Sequence, residues 1–287
     1  MTWEETILYL RTTAFYNQLI KESYLEEDLI ANAERFEQSD EFKETLRELK
    51  DRIPEGNKLL DVGAGNGIAT AAFSKLGYKV TALEPDPSIT IGAGAIRKLT
   101  RDLDLNNVVV VEATAEKMPF PDESFDIVYV RQAMHHASDL PVFISECARV
   151  LKKGGILFTV RDHVIYGKKD KSRFLKAHPM HKFYWGENAF KDKEYRIAMR
   201  SSKLTILKVM RYFDSVINYF PLSDDEMRNL PTLLKHRLDL RLISKIGEIG
   251  KFGLFRYIYR KVVALRYGGP LDEKRIPGRM YSYIAQK

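Results

Sequence analysis

The residues with the clearest chemical signal are three glycines within the segment LLDVGAGNGIAT, residues 59–70. Gly63, Gly65 and Gly67 come directly after a short apolar run that contains Asp61. Glycine permits tight turns and allows a ligand to lie against bare backbone. A glycine loop between a parallel strand and a helix is typical of nucleotide-type sites at the carboxyl end of a sheet.

The spacing of the glycines narrows the kind of ligand. Dinucleotide enzymes prefer G-x-G-x-x-G, which places a pyrophosphate on the helix N-terminus, whereas this chain has G-x-G-x-G. The next apolar run ends in Glu84, 17 residues after Gly67. An acid at that point can accept hydrogen bonds from both hydroxyls of a ribose.

Apolar runs and amphipathic segments alternate through the middle of the chain. Near-continuous apolar strands that alternate with helices predict a mostly parallel sheet covered on both faces, an α/β fold of Rossmann-like type. The predicted strands are 58–62, 79–84, 107–113, 125–131, 156–162, 204–213 and 279–286, and the predicted helices are 67–75, 89–99, 139–151 and 188–201.

Three further segments complete the predicted organisation. Residues 1–52 form an N-terminal helical segment, and residues 163–187 form a long irregular stretch, a kind of loop that is usually functional or disordered. A basic, mostly helical insertion at 214–277 interrupts the sheet before its last strand. The predicted Rossmann-like domain is therefore 53–213 together with 278–287.

Four ordered stretches resemble one family. LLDVGAGNG, VTALEPD, TAEKMPFPDESFDIVYVRQAMHH and ARVLKKGGILFTVRD lie between about residues 55 and 163. They resemble the class I S-adenosylmethionine-dependent methyltransferases, in particular the group related to ubiquinone/menaquinone and small-molecule methyltransferases. The resemblance implies a seven-stranded sheet with an antiparallel last strand, and S-adenosylmethionine as the cofactor, with S-adenosylhomocysteine as product.

The resemblance also assigns cofactor-binding roles. Asp61 would steer the amino group, the glycine loop would approach the methionine part, and Glu84 would hold the ribose. The family often has an acid where this chain has Thr114, so the backbone N–H of Ala115 could serve the adenine instead. The implied cofactor-binding residues are Asp61, Gly63, Ala64, Gly65, Glu84, Pro85, Asp86, Thr114, Ala115, Glu116, Arg131 and Gln132.

Histidines at the predicted strand ends are the candidate bases for an acceptor hydroxyl. His135, His136 and His163 follow the fourth and fifth predicted strands, and histidine titrates near neutrality. A structural role, such as capping a helix, is the alternative for each of them. His178 and His181 have a possible ligand spacing, but no cysteine or acidic partner is arranged around them, so no metal is expected.

The 163–187 stretch is expected to line the acceptor pocket. Its aromatic and histidine residues are candidates for substrate binding, namely Tyr166, His178, His181, Tyr184 and Trp185. The expected acceptor is a small molecule or saccharide, methylated on oxygen as a first choice.

Charge is distributed unevenly along the chain. Residues 1–150 carry a net charge of −10, residues 151–287 one of +17, and residues 227–267 one of +8. The basic insertion is expected to be a lid over the acceptor site. The alternatives are contact with an anionic membrane and binding of RNA, and its charge would also suit an anionic or lipid-linked acceptor. An RNA methyltransferase and a noncatalytic cofactor-binding or RNA-binding protein are therefore the alternatives, with nucleic acid ranked below the small molecule.

The remaining composition bears on location. Cys147 is the only cysteine, so no internal disulfide can form. The N-terminus lacks the basic and apolar pattern of a signal peptide, and no apolar run approaches the ~20 residues of a membrane span. The expected location is cytoplasmic, with peripheral membrane contact as an option.

Overall fold

The computed structural model describes residues 1–50, 52, 56–178, 180–184, 186–222, 273–276 and 278–287. The strands are β1 (Lys58–Val62), β2 (Lys79–Leu83), β3 (Val108–Val111), β4 (Phe125–Arg131), β5 (Leu151–His163), β6 (Thr205–Met210) and β7 (Met280–Gln286). The α-helices are α1 (Trp3–Arg11), α2 (Asn17–Glu22), α3 (Leu29–Glu37), α4 (Asp40–Lys50), α5 (Ile68–Lys75), α6 (Ala93–Asp102), α7 (Leu140–Val150), α8 (Lys168–Ala177), α9 (Asp192–Ser201) and α10 (Val216–Tyr219).

The seven strands form one sheet in the order β3-β2-β1-β4-β5-β7-β6. All pairings from β3 through β5 are parallel, and β7 runs antiparallel to both β5 and β6. The predicted α/β Rossmann-like fold with an antiparallel last strand is confirmed. The strand order reverses between β1 and β4, and ligands of such sheets bind at the carboxyl ends of the strands next to that point.

Alternating side chains of the central strands fill two cores. Leu60, Val62 and Val128 belong to a cluster on one face of the sheet, whereas Leu59 and Ile127 belong to a cluster on the other. Consecutive residues of a strand point to opposite faces, and a parallel sheet covered by helices buries both. This packing fixes where the carboxyl ends of the strands lie.

The N-terminal helices are packed against the sheet domain. Phe36 of α3 and Phe42 of α4 are buried in the same cluster as Leu59 of β1. Glu41 of α4 is fully buried, and its carboxylate oxygens accept from Arg131 Nε at 2.6 Å and Nη2 at 3.0 Å. Burial opposes ionisation of Glu41, but Arg131 and Arg161 lower its pKa below the usual range. A buried charged pair therefore ties α4 to the end of β4.

Local sequence accounts for several helix starts. The Thr2 side chain accepts from the backbone N–H of Glu5, and the Glu5 carboxylate accepts from that of Thr2, which forms a capping box at α1. At α7, Asp139 Oδ1 accepts from the backbone N–H of Val142. Capping satisfies N–H groups that have no partner within the helix.

Four predictions about elements are wrong. The strand predicted from residue 156 begins at Leu151. Residues 163–187 are not irregular throughout, because α8 buries Phe174 and binds Arg279 through Asp170, with Nη1 2.5 Å from Oδ2. The helix predicted from residue 89 begins at Ala93, after a turn in which the Ala93 N–H donates to Asp86 O. The helix predicted over 188–201 begins only at Asp192.

The predicted insertion at 214–277 lies between strands β6 and β7, which are adjacent in the sheet. Residues 223–272 lie outside the described residues. Within the described part of the chain, no helix has both the length and the apolar composition needed to cross a bilayer.

Candidate functional site

A cavity of about 420 Å³ lies at the carboxyl ends of the central strands. Its lining includes residues from the loops after β1, β2 and β4. The strand order reverses between β1 and β4, and β2 is the neighbour of β1. Every cofactor-binding residue implied by the sequence resemblance lines this cavity: Asp61, Gly63, Ala64, Gly65, Glu84, Pro85, Asp86, Thr114, Ala115, Glu116, Arg131 and Gln132.

The glycine loop brings bare backbone to the cavity wall. Gly63 has φ +66°, and a Cβ added there would lie 2.5 Å from the Cβ of Ala133. Gly65 has φ +56°, and the nearest atom to an added Cβ is the carbonyl oxygen of Ile91 at 4.0 Å. The left-handed conformation explains both glycines, and at Gly63 the closeness of the loop after β4 excludes a side chain as well.

Two buried acids flank the glycine loop. Asp61 Oδ2 accepts from Thr70 Oγ1 at 2.6 Å, and burial raises the pKa of Asp61 to about 6. Glu84 accepts from the backbone N–H groups of Gly65 at 2.7 Å and Asp86 at 3.0 Å. Burial raises the pKa of Glu84 to about 7, against the lowering effect of those two hydrogen bonds. Both carboxyl groups are therefore held in fixed positions at the cavity wall.

The remaining implied cofactor residues have distinct environments. Glu116 Oε1 accepts from the backbone N–H and the hydroxyl of Ser138, both at 2.9 Å. The guanidinium of Arg131 is engaged by Glu41, as described above, so its side chain is not available to a ligand. Gln132 has φ +52° and its side chain approaches the sulfur of Met280 at 3.7 Å.

Four histidines line the same cavity, namely His135, His136, His163 and His178. His163 Nδ1 lies 3.0 Å from the carbonyl oxygen of Gly278, which can only accept a hydrogen bond, so Nδ1 carries the proton and Nε2 the lone pair. His136 is exposed, with Nδ1 3.0 Å from the carbonyl oxygen of Gly186. All three candidate bases from the sequence are thus brought together at the cavity.

His135 is buried in the same group, and its ring is oriented by Asp162. Asp162 Oδ1 accepts from the backbone N–H of His135 at 3.0 Å and lies 3.1 Å from Nδ1. Burial raises the pKa of Asp162 well above its usual range, and no residue that the structure describes forms a hydrogen bond with Asp162 Oδ2. Burial lowers the pKa of His163 to about 3 and that of His135 well below its usual range, helped by the neighbouring histidines. Both rings are neutral at physiological pH.

The predicted acceptor-binding residues divide into two groups. His178 and Tyr184 line the cavity, whereas the Tyr166 hydroxyl donates to Glu273 Oε1 at 2.7 Å outside the cavity lining. His181 lines a separate depression beside α8. Trp185 lies outside the described residues. The structure therefore does not place Tyr166 or His181 in the lining of the cavity that holds His178 and Tyr184.

Several cavity residues were not predicted from the sequence. Trp3 of α1 lines the cavity, and its ring contacts that of Tyr184 with centroids 5.3 Å apart. Met180 also lines the cavity and packs with Ile7 and Ile20 of the N-terminal helices. The only sequence signal for these residues was the aromatic side chains in two segments, residues 3–11 and residues 184–185. Their spacing in the sequence did not indicate that the two segments would be in contact.

Glu187 corrects the expectation that no acid accompanies the histidines. It is buried and lines the cavity, with Oε1 3.7 Å from His178 Nδ1 and Oε2 3.9 Å from His135 Nε2. The two parts of the cavity can now be named. The cofactor half consists of the glycine loop at residues 63–67 with Asp61 and Glu84, and the acceptor half consists of His135, His163, His178 and Glu187 with Trp3 and Tyr184.

The fold and the cofactor half together define a nucleoside-binding α/β protein of Rossmann-like type. Comparison with known families gives the class. Residues 60–159 match the family described as "Methyltransferase domain". This part of the chain is a class I S-adenosylmethionine-dependent methyltransferase domain, and the buried acids and bare backbone fit that cofactor's amino, ribose and methionine groups.

Individual relatives agree with this class. The chain is 34% identical over 113 residues to the ubiquinone/menaquinone biosynthesis C-methyltransferase UbiE of Psychromonas ingrahamii, covering 38% of this chain and 43% of the relative. It is 37% identical over 108 residues to the ubiquinone biosynthesis O-methyltransferase of Rhodopseudomonas palustris, covering 36% and 39%. The aligned stretch thus spans less than half the length of either relative.

A solved structure supports the fold over most of the chain. Geranyl diphosphate methyltransferase in complex with S-adenosylmethionine superimposes with a TM-score of 0.56 and 18% identity, covering 90% of this chain and 88% of that one.

Proposed function

We propose that the protein transfers a methyl group from S-adenosylmethionine to an oxygen atom of a small molecule or saccharide. The observation that carries the proposal is that the cofactor half and the acceptor half line one cavity. When bound, the cofactor supplies a methyl group already activated for displacement on its sulfonium. The residues of this chain supply orientation, exclusion of water and a place for the acceptor's proton.

The cofactor half would hold the methyl donor through complementary polar groups. Asp61 would accept from the cofactor's amino group, and Glu84 would accept from the ribose hydroxyls. Those hydroxyls would replace the backbone N–H groups of Gly65 and Asp86, which Glu84 binds in the structure. Charge-assisted hydrogen bonds of this kind are roughly twice as strong as neutral ones. The bare backbone at Gly63 and Gly65 leaves room for the methionine part.

The acceptor half would receive the proton of the acceptor hydroxyl. His163 Nε2 carries the lone pair, because Nδ1 donates to Gly278. A ring with a pKa of about 3 is a weak base toward a resting hydroxyl. The hydroxyl becomes much more acidic as its oxygen bonds to the methyl carbon, so a weak base can accept the proton in the transition state.

The size and the lining of the cavity favour a small acceptor group. Ligand sites commonly measure ~300–1,000 Å³, and this cavity of about 420 Å³ must hold most of the cofactor as well. The rings of Trp3 and Tyr184 suit the flat face of a sugar or another ring, and Glu187 suits its hydroxyls. These features support a small molecule or the end of a saccharide over a folded nucleic acid.

Turnover with a panel of acceptors tests the proposal. Mass spectrometry should detect S-adenosylhomocysteine together with a product heavier by one methylene when hydroxylated small molecules or saccharides are supplied. Glu84→Ala should abolish this signal. Cofactor binding without turnover of any acceptor class would instead favour a noncatalytic protein.

Methylation of carbon is the second candidate, because one relative is named a C-methyltransferase. NMR of the product would decide between them, since an O-methyl and a C-methyl group have well-separated chemical shifts. A C-methylated product would contradict the oxygen acceptor but leave the methyl transfer itself intact.

An anionic or lipid-linked acceptor is the final part of the proposal. Residues 227–267 carry a net charge of +8, which attracts anionic groups and membrane surfaces. Co-sedimentation with anionic vesicles, but not neutral ones, at physiological salt would support membrane contact. Equal sedimentation with both would contradict it.

A further inference from the structure

Two histidines and one glutamate in the acceptor half have the composition of a metal site. Atoms of His135, His163 and Glu187 that can ligate a metal all lie within 4.8 Å of one another, and all three residues are buried. They come from the loop after β4, the end of β5 and the segment before α9, so only the fold brings them together.

The hydrogen bonds of the two histidines leave Nε2 available on each ring. His163 Nδ1 donates to the carbonyl of Gly278, and His135 Nδ1 donates to Asp162 Oδ1, an oxygen that already accepts the backbone N–H of His135. A histidine ligand usually donates its other ring N–H to a carboxyl or a backbone carbonyl in this way. This chain contains one example of each arrangement.

Glu187 is difficult to explain without a cation. Its exposed fraction is 8%, and its buried Oε2 has no hydrogen-bond partner among the residues that the structure describes. In the described part of the chain, the nearest basic nitrogens are His178 Nδ1 at 3.7 Å and His135 Nε2 at 3.9 Å, both beyond hydrogen-bond distance. A buried carboxylate oxygen without a donor is costly, and a bound metal ion is one of the standard ways to satisfy it.

We propose that His135, His163 and Glu187 bind a divalent transition-metal ion of the zinc type, with an open coordination position facing the cavity. Two imidazoles and one carboxylate form a known three-ligand set for catalytic zinc. Imidazole nitrogen suits zinc and its neighbours in the first transition row, whereas magnesium prefers oxygen ligands and retains its waters.

The distances are compatible with such an ion after small side-chain movements. Zinc binds nitrogen and oxygen at ~2.0–2.2 Å, which places tetrahedral ligand atoms roughly 3.4 Å apart. The separation of 3.9 Å between His135 Nε2 and Glu187 Oε2 is close to this value. His178 Nδ1 lies 3.7 Å from Oε1, the other carboxylate oxygen of Glu187. His178 would therefore stabilise the carboxylate without binding the metal.

The role of the ion rests on the proposed function. An oxygen of the acceptor that occupies the open position would lose its proton more readily, because a bound divalent ion lowers the pKa of a coordinated hydroxyl. With its Nε2 bound to the ion, His163 would hold the metal instead of receiving the proton. The proton would pass to Nε2 of His136, which lines the same cavity and whose Nδ1 faces the carbonyl oxygen of Gly186.

Metal binding can be measured without cofactor, acceptor or turnover. The full chain is treated with a chelator, dialysed, and titrated with Zn²⁺ in a calorimeter and with Co²⁺ in a visible absorption spectrometer. We expect one equivalent of each ion to bind, with Co²⁺ giving the strong absorption bands of low coordination number. Glu187→Gln and His163→Gln should each weaken Zn²⁺ binding by at least about tenfold.

His181→Gln is the matched control, because His181 lies outside the cavity and should leave zinc affinity unchanged. Binding of S-adenosylhomocysteine by each variant verifies that the cofactor half is folded. Absence of one-equivalent binding, or equal affinity in all variants, would overturn the metal site while leaving the methyl transfer untouched. Zinc binding by a protein that does not bind the cofactor would overturn the proposed function instead.

Discussion

The cofactor half and the acceptor half of the cavity are built in different ways. The cofactor half comes from one continuous stretch, β1, the glycine loop, α5 and β2, with its acids at the ends of adjacent parallel strands. The acceptor half is assembled from α1, the loop after β4, the end of β5 and residues 178–187. On the proposed function, the cofactor would be held by local structure, and the acceptor by segments that are far apart in sequence.

The two halves of the cavity also differ in how burial shifts the pKa values of their side chains. Burial raises the pKa of Asp61 to about 6 and that of Glu84 to about 7, so the cofactor half changes charge near neutral pH. Burial lowers the pKa of His135, His163 and His178 below the usual histidine range. The two halves should therefore respond differently to mutation and to pH.

The largest expected effect is on the affinity for the cofactor. Glu84→Ala should remove two charge-assisted hydrogen bonds to the ribose, each worth ~1.5–3 kcal/mol, and raise the Kd for S-adenosylmethionine by ~10²–10⁴-fold. Isothermal titration calorimetry measures this directly. Glu112→Ala is the control, because Glu112 pairs with Arg97 at the surface and should leave the Kd within about twofold. An unchanged Kd in Glu84→Ala would show that the cofactor half does not hold the ribose.

The contrast between the halves explains how much could be predicted. The glycine loop and Glu84 were identifiable because strand, turn and strand end occur in order within one stretch, and each has a local signature. The sheet followed from the apolar strands, since a parallel sheet must bury both faces. Trp3 and Glu187 could not be predicted, because their positions depend on contacts between segments that are far apart in sequence.

The errors in the predicted elements have a similar cause. Residues 168–177 are rich in lysine and carry few apolar side chains, so helical periodicity was weak there. The helix is stabilised by tertiary contacts, with Phe174 buried and Arg279 bound to Asp170. Tertiary packing routinely overrides such a weak local preference.

The second expected effect is on stability, through the ion pair beneath the cofactor half. Glu41→Gln leaves Arg131 and Arg161 buried without a counter-charge and should lower the free energy of unfolding by ~3–5 kcal/mol. Urea denaturation followed by circular dichroism measures the change. Glu44→Gln is the matched control on the same helix, since Glu44 pairs with Arg47 at the surface. Equal stability of the two variants would contradict the importance of this pair.

The third effect concerns pH and separates the two halves. The folded-state pKa values of Asp61 and Glu84 lie above the unfolded values, so their contribution to the free energy of unfolding falls as pH rises from about 4 to 7. The amino group and ribose hydroxyls bind best to the ionised carboxylates. Affinity for S-adenosylmethionine should therefore be about tenfold stronger at pH 8 than at pH 5.5. Calorimetry at both pH values checks this. If Glu84→Gln showed the same pH dependence of affinity, a group other than Glu84 would be its source.

The smallest effect expected is in the acceptor half, where Trp3 contacts Tyr184 with ring centroids 5.3 Å apart and planes inclined at 54°. Such a pair contributes ~0.5–1.5 kcal/mol beyond its buried area. Trp3→Ala should raise the KM for the acceptor several-fold while changing the cofactor Kd little, because Glu84 is held by the backbone N–H groups of Gly65 and Asp86 and not by either ring. A double-mutant cycle with Tyr184→Ala should show coupling of this size, since each single change already removes the contact. If Trp3→Ala raised the cofactor Kd as much as the acceptor KM, α1 would support both halves of the cavity. The two halves would then not be energetically separate.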